Sequence, residues 1–185
     1  MIIETIVSTI DKNERVNFSP FGIKKKNKQI FISPYIPSKT LINLEATKCA
    51  VINYTDDTSF FVNCIIGNKK FKKKRCKKFP GFFLEDCFGY EQVKVKKIIK
   101  NKLRPTFVCE IDKSFHIKNY EGHNRAKASI IEACILASRV HLLGKQKIFN
   151  ELSYLSIAVE KTAGSLEKKS WKKILNYINK KIDEK

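Results

Sequence analysis

The sequence has no apolar run near the roughly 20 residues that span a bilayer. Its first residues, Met1-Ile-Ile-Glu4, lack the basic start of a secretory signal, so the expected location is the cytoplasm. There is no GxGxxG and no P-loop, which removes the usual grounds for a separate dinucleotide or ATP domain. The six cysteines, Cys49, Cys64, Cys76, Cys87, Cys109 and Cys134, show no CxxC or CxH spacing and so give no metal site or redox pair. An even count without an export signal is not a disulfide framework. Cys49, Cys109 and Cys134 lie among apolar residues and read as small core side chains. The histidines His116, His123 and His141 are isolated, and no Ser-His-Asp or paired-carboxylate constellation emerges from the spacing. No catalytic side chain is therefore assigned. Arginine is scarce, confined to Arg15, Arg75, Arg104, Arg125 and Arg139, and there is no internal repeat.

What the chain does have is lysine. The net charge is +19, carried almost entirely by lysine rather than by the arginine that base-reading proteins favour. Together with the abundance of Ile and Asn, this is the bias an AT-rich genome imposes on exposed positions. A solvated basic surface is the plain reading, and nonspecific attraction to polyanions is the alternative. With 185 residues, 43% hydrophobic and 11% aromatic, the chain can build a real core as one domain or one domain plus an appendage.

The order of elements predicts an α+β fold. Ile2 to Ile10 is β-branched almost throughout and reads as a strand, with Arg15 to Phe18 as its hairpin partner. Ser19-Pro20 reads as a break, after which Phe21 to Ile23 resumes, and Gln29 to Ile32 is the next strand. Ser38 or Thr40 caps a short helix whose buried side is Leu41, Leu44 and Ala46. Cys49 to Tyr54 is an apolar strand, and Phe60 to Ile66 fits strand or helix equally. Lys69 to Lys78 reads as a mobile, solvated basic run. Cys87 to Ile99 and Thr106 to Ile117 are long strands, and from Asn124 onward three helices follow. The division expected is a β-rich domain over residues 1–120 and a helical region over residues 121–185.

Two stretches stand out for function. Arg15-Val-Asn17-Phe-Ser-Pro-Phe-Gly22 offers the backbone donors and acceptors of an interrupted strand. Ser33 to Leu44 gathers hydroxyls, a lysine and an asparagine at a helix start, where an anion is welcome. Together they suit a flat heteroaromatic ring held by its polar edge and a phosphate held by its tail.

Val16-Asn-Phe-Ser-Pro-Phe-Gly22, Pro37-Ser-Lys-Thr-Leu-Ile-Asn-Leu44, Ala50-Val-Ile-Asn-Tyr-Thr-Asp-Asp57, Asn124-Arg-Ala-Lys-Ala128 and Ala158-Val-Glu-Lys-Thr-Ala-Gly164 resemble, in order, the signature stretches of a mainly archaeal family catalogued as a domain of unknown function. The resemblance implies FMN on a six-stranded or similar Greek-key split β-barrel like that of the flavin reductases, with a homodimer completing the flavin pockets. In such a site Ser38, Lys39, Thr40 and Asn43 would meet the phosphate, with Ser38 or Thr40 as a mere cap being the compatible alternative. The stretch Asn17, Phe18, Ser19, Pro20, Phe21 and Gly22 would meet the ring edge, with Asn53, Thr55 and Asp56 secondary. Asn124 and Arg125 would approach the phosphate of the same or the partner subunit, unless Arg125 instead pairs with Glu132 or Glu160.

The expected function is an FMN-dependent oxidoreductase of flavin-reductase type, passing hydride between a reduced nicotinamide or deazaflavin and an acceptor. A non-enzymatic flavin carrier or sensor is the second reading. A nucleic-acid binder acting through Lys69 to Lys78 and the C-terminal lysines is the third, and Phe71 and Phe79 interleave in the basic run as stacking would want.

Overall fold

The computed structural model describes residues 1–184. Strand β1 (Ile2–Ile10) sends Thr5, Val7 and Thr9 to one face and Ile6, Ser8 and Ile10 to the other. Both sets are buried, so this strand is covered on both sides. Asp11 makes the turn, its carboxylate accepting from the Asn13 and Arg15 N–H groups at 2.8 and 2.9 Å. Strand β2 (Val16–Lys26) returns antiparallel along the whole length of β1.

β3 (Gln29–Ile32), β4 (Cys49–Tyr54), β7 (Gly89–Ile99) and β8 (Thr106–His116) complete a closed barrel in the order β1-β2-β3-β8-β7-β4. A short hairpin, β5 (Lys73–Arg75) and β6 (Phe82–Leu84), stands apart from the barrel ladder. Strand β4 returns beside β1, which makes β4-β1-β2-β3 a Greek key, and the β7–β8 hairpin fills the gap. Inside lie Val7, Ile23, Ile30, Ile32, Leu44, Ile52, Val93, Phe107 and Cys109. Helix α1 (Lys39–Thr47) plugs the barrel end where β1 turns into β2, driving Leu41 and Leu44 into that core. Removing either side chain to alanine forfeits on the order of 2–5 kcal/mol. Ala46, expected on the buried side, is exposed, and Thr40 and Asn43 are buried in its place.

Two expectations need correcting. β2 is not broken at Ser19-Pro20: the register with β1 runs on through Ile6 opposite Pro20 and Glu4 opposite Gly22. Proline is tolerated in a ladder only where its nitrogen faces an unpaired side, and β2 has one. Among the described residues, β3 reaches β2 only at Lys24–Lys26. The basic run is also ordered, as β5 paired with β6, rather than loose.

The barrel strands, α1 and the β5–β6 hairpin form one compact unit, Met1–Thr55 with Lys70–Tyr120. A second unit is helical and consists of Asp56–Lys69 with the chain from Glu121 onward. It holds α2 (Thr58–Ile66), α3 (Arg125–Ser138), α4 (Lys145–Thr162) and α5 (Ser165–Asp183). The ambiguous Phe60–Ile66 is thus helix, capped by the Asp57 carboxylate accepting from Ser59 N–H at 2.8 Å. Although α2 interrupts the barrel's stretch of sequence, its Phe60, Phe61 and Cys64 join the buried set that includes Ile130, Ala133, Cys134 and Ile174. No helix of the described residues is long and apolar enough to cross a membrane.

Candidate functional site

At the plugged end of the barrel, side chains from β2 and α1 converge. Asn17 Nδ2 donates to Ser19 Oγ at 3.1 Å and to Thr40 Oγ1 at 3.2 Å, and Thr40 Oγ1 donates to Ser19 Oγ at 3.3 Å. The alternation of β2 creates this cluster by putting Asn17, Ser19, Phe21 and Ile23 on the inward face. Ser38 is the helix cap, in extended conformation, with its Oγ accepting from Leu41 N–H at 3.2 Å. That leaves the N–H groups of Lys39 and Thr40 in the first turn, where a helix has no partners of its own. Lys39 is exposed beside them. The result is an internally hydrogen-bonded polar cluster beside a helix start, with a cation at its rim.

Along β2, the Phe21 carbonyl accepts from Thr5 Oγ1 at 3.0 Å and so faces β1. Pro20 and Gly22 therefore present their backbone groups to the unpaired side of the strand. At Gly22 a Cβ would lie 2.7 Å from Ile2 Cγ2 and 2.8 Å from Glu4 Oε1, so glycine lets those two β1 side chains lie across the strand. Phe18 points the other way, buried, with its ring 5.4 Å from that of Phe71.

The remaining candidates lie elsewhere. Asn53 is fully buried on the outer face of β4, and its amide is consumed by the fold. Its Nδ2 donates to Ile6 O at 2.9 Å, Val51 O at 3.3 Å and Ser8 Oγ at 3.4 Å, while its Oδ1 accepts from Leu84 N–H at 2.8 Å. It pins the β5–β6 hairpin to the barrel, and a ring could not reach it. Asn43 is buried and donates to Thr9 Oγ1 at 3.0 Å, behind the polar cluster rather than in it. Thr55 is half-buried just past the end of β4.

In the helical unit, Asn124 caps α3, accepting from Lys127 N–H at 3.1 Å, and its Nδ2 donates to Thr162 O at 3.0 Å. Arg125 is exposed in the first turn of α3 and makes no ion pair with Glu132 or Glu160 among the described residues. Asp56 instead pairs with Lys127 at 2.8 Å.

The basic hairpin is fixed by contacts that no local pattern announces. Ser8 Oγ donates to Phe82 O at 2.6 Å, and the Arg75 guanidinium grips both oxygens of Glu14 on the β1–β2 turn. Phe79 is buried and Phe71 packs on Phe18, so neither ring is presented for stacking.

A second polar cluster, missed from the sequence, occupies the opposite barrel end. Glu91 on β7 is buried; its Oε1 accepts from Lys25 Nζ at 2.7 Å and Ser114 Oγ at 3.0 Å, and its Oε2 accepts from Tyr54 OH at 2.6 Å. Burial, and then the Glu91 carboxylate, push the Tyr54 phenol above its ordinary range. The four residues come from four strands, and the one signal in the sequence is a lone acid among the apolar residues of β7. Burial also pushes the Cys109 and Cys134 thiols up to about 12 and those of Cys76 and Cys87 up to about 11. None of these four is a nucleophile at neutral pH.

Comparison with known proteins agrees with this architecture. No curated protein matches the chain. An FMN-bound protein of Methanosarcina mazei superposes with a TM-score of 0.80 at 23% identity, over 95% of this chain and 94% of that one. A split-barrel protein of Shewanella frigidimarina gives 0.56 at 13% identity, over 67% and 74%. A flavin reductase solved in complex with NADP+ gives 0.55 at 18%, over 64% and 81%. The fold is thus a split β-barrel with C-terminal helices. Residues 3–118 match the N-terminal domain, and residues 124–176 the remainder, of the family described as protein of unknown function DUF447, and the chain belongs to that family.

Proposed function

We propose that this protein binds FMN at the plugged end of its barrel and works as a flavoprotein oxidoreductase of flavin-reductase type. The observation that carries the reading is the convergence of Asn17, Ser19 and Thr40 beside the capped start of α1. A phosphate dianion wants several short donors, partial positive charge from a helix start and one mobile cation. Once the hydrogen bonds among Asn17, Ser19 and Thr40 are exchanged for phosphate oxygens, the hydroxyls, the Asn17 amide, two first-turn N–H groups and Lys39 make that donor set, so the residues present fit the group. Relatives lend support: the family member from Methanosarcina mazei is FMN-bound, and a flavin reductase of similar fold binds NADP+.

In this reading Ser38 fixes the helix start, and Thr40, Ser19 and Asn17 hold the phosphate with Lys39 closing over it. The unpaired side of β2 at Pro20 and Gly22 offers carbonyls and one N–H to the polar edge of the ring. When bound, the flavin supplies the chemistry by accepting and releasing hydride. The chain's residues bind and orient it and keep the buried side of the ring from water. A reduced nicotinamide or deazaflavin is the proposed donor, and a homodimer is the proposed working form.

The test is the visible spectrum of the purified protein before and after reconstitution with FMN. The expected result is one flavin per chain, bleached by a reduced nicotinamide or deazaflavin. A preparation that takes up no FMN would sink the reading. Uptake without bleaching by any such donor would favour the non-enzymatic carrier instead.

A further inference from the structure

We propose that the β5–β6 hairpin is the docking surface for a small acidic electron-transfer protein that exchanges single electrons with the flavin; this rests on the flavin reading above. The hairpin presents Lys70, Lys72, Lys73, Lys77 and Lys78, all exposed and none ion-paired among the described residues. Its two other cations are spent internally, Lys74 on Glu85 at 3.3 Å and Arg75 on Glu14. Five uncompensated charges on one hairpin attract an anionic partner and accelerate its encounter.

Three observations decide which anionic partner. First, the charges are carried on a fixed frame. Ser8 and Asn53 pin β6 to the barrel, and Phe71 anchors the chain leading into β5. A pre-ordered surface loses little freedom on docking. Second, the aromatic rings that would stack on bases are turned inward, Phe79 buried and Phe71 against Phe18. Single-stranded nucleic acid draws much of its affinity from such stacking. The free cations are all lysines, point charges without the planar fork that reads bases and phosphates bidentately. Third, Phe71 packs on Phe18 of β2, whose neighbours Asn17 and Ser19 carry the proposed phosphate cluster on the opposite face, so the foot of the hairpin is seated on the strand that holds that cluster. Weak, small, charge-steered contacts close to a redox centre are what transient electron-transfer encounters use.

The electron count closes. A hydride donor of the nicotinamide or deazaflavin class would load two electrons and one proton onto the flavin. Each docked acceptor would take one electron, and two dockings with release of that one proton to water would restore the oxidised cofactor.

The experiment uses the full chain, with and without FMN, and a fluorescently labelled [2Fe–2S] ferredoxin of low isoelectric point as the probe. Binding is read by anisotropy, and electron exchange by the bleaching of the ferredoxin after the flavin is photoreduced. In the variant Lys70→Gln/Lys72→Gln/Lys73→Gln/Lys77→Gln/Lys78→Gln, probe affinity and exchange rate should each fall about tenfold or more at low salt. FMN uptake should be unchanged. Equal probe binding by variant and parent overturns the proposal while leaving the flavin reading intact. So does a single-stranded oligonucleotide that binds the hairpin more tightly than the ferredoxin does. A parent that binds the probe through these lysines yet takes up no FMN upholds the docking surface, and it removes both the electron exchange and the flavin reading.

Discussion

Replacing Asn53 by alanine separates a residue that builds the fold from one that touches a ligand. The side chain makes two well-formed hydrogen bonds, to Ile6 O and from Leu84 N–H, and two longer ones to Val51 O and Ser8 Oγ, all in the buried zone between β4 and β6. Its loss forfeits about 1 kcal/mol for each good bond and leaves the Leu84 N–H and Ile6 C=O buried and underused, at about 1–3 kcal/mol per orphaned group. Because those figures overlap, the expected destabilisation is about 3–4 kcal/mol. For a chain of this size that is a fall in Tm of about 6–15 °C. Urea unfolding followed by far-UV dichroism measures it, and titration with FMN at a temperature where both proteins are folded measures the site. FMN affinity should be the same in both. The companion variant Asn53→Asp keeps an acceptor for Leu84 N–H but turns a carboxylate toward the Ile6 and Val51 carbonyls. Burial raises the pKa of the introduced carboxyl above its unfolded value, so its stability deficit should shrink as pH falls through the raised folded-state value and level off below the unfolded value of about 4. An alanine variant with unchanged Tm and weakened FMN binding would refute the assignment and return Asn53 to the ligand site.

Three further outcomes are expected. Thr40→Val removes one hydroxyl from the phosphate cluster without changing shape, and should weaken FMN about tenfold while leaving Tm within a few degrees, as equilibrium titration and calorimetry would show. Gly89→Ala would drive a Cβ to 2.4 Å from the Phe115 carbonyl in the backbone of β8. The strands must part, so stability should fall by about 1–3 kcal/mol in denaturant titration. The folded-state pKa of Tyr54 is raised, so the stability it contributes is complete below the ordinary phenol value of about 10 and is lost as pH rises through that range and above it. Unfolding free energies from pH 8 to 11 should therefore drop more steeply for the parent than for Tyr54→Phe.

What the sequence disclosed and what it hid divide along the range of the forces. The β-branched run of β1, the Ser38 cap and the change to helix at Asn124 are local, and all are where the pattern put them. Ser19-Pro20 misled because its neighbours make it look like a breaker. Whether a proline breaks a strand depends on which side is unpaired, and that is decided by β3 and its pairing from Lys24 onward. The basic run read as mobile because its composition is unable to order itself; the order comes from Ser8, Glu14, Phe18 and Asn53, whose partners in and around the hairpin lie 31 to 74 residues away in sequence. Glu91 and its three partners were invisible for the same reason. Asn53 sits at a strand end, as ring-binding groups often do, but only the register shows it under β6.

The unpaired side of β2 has a further consequence. A barrel hides every strand edge except where its seam opens, and an open seam is a template on which another chain can add a strand. Among the described residues, Ser19 to Ile23 lie along this one. Pro20 stands within it and has no N–H to offer, so an intruding strand finds its ladder interrupted. The residue that first looks like a flaw in the strand thus guards the molecule against aggregation through its own seam. Pro20→Val would restore the missing donor, and with it the route to fibrous self-association.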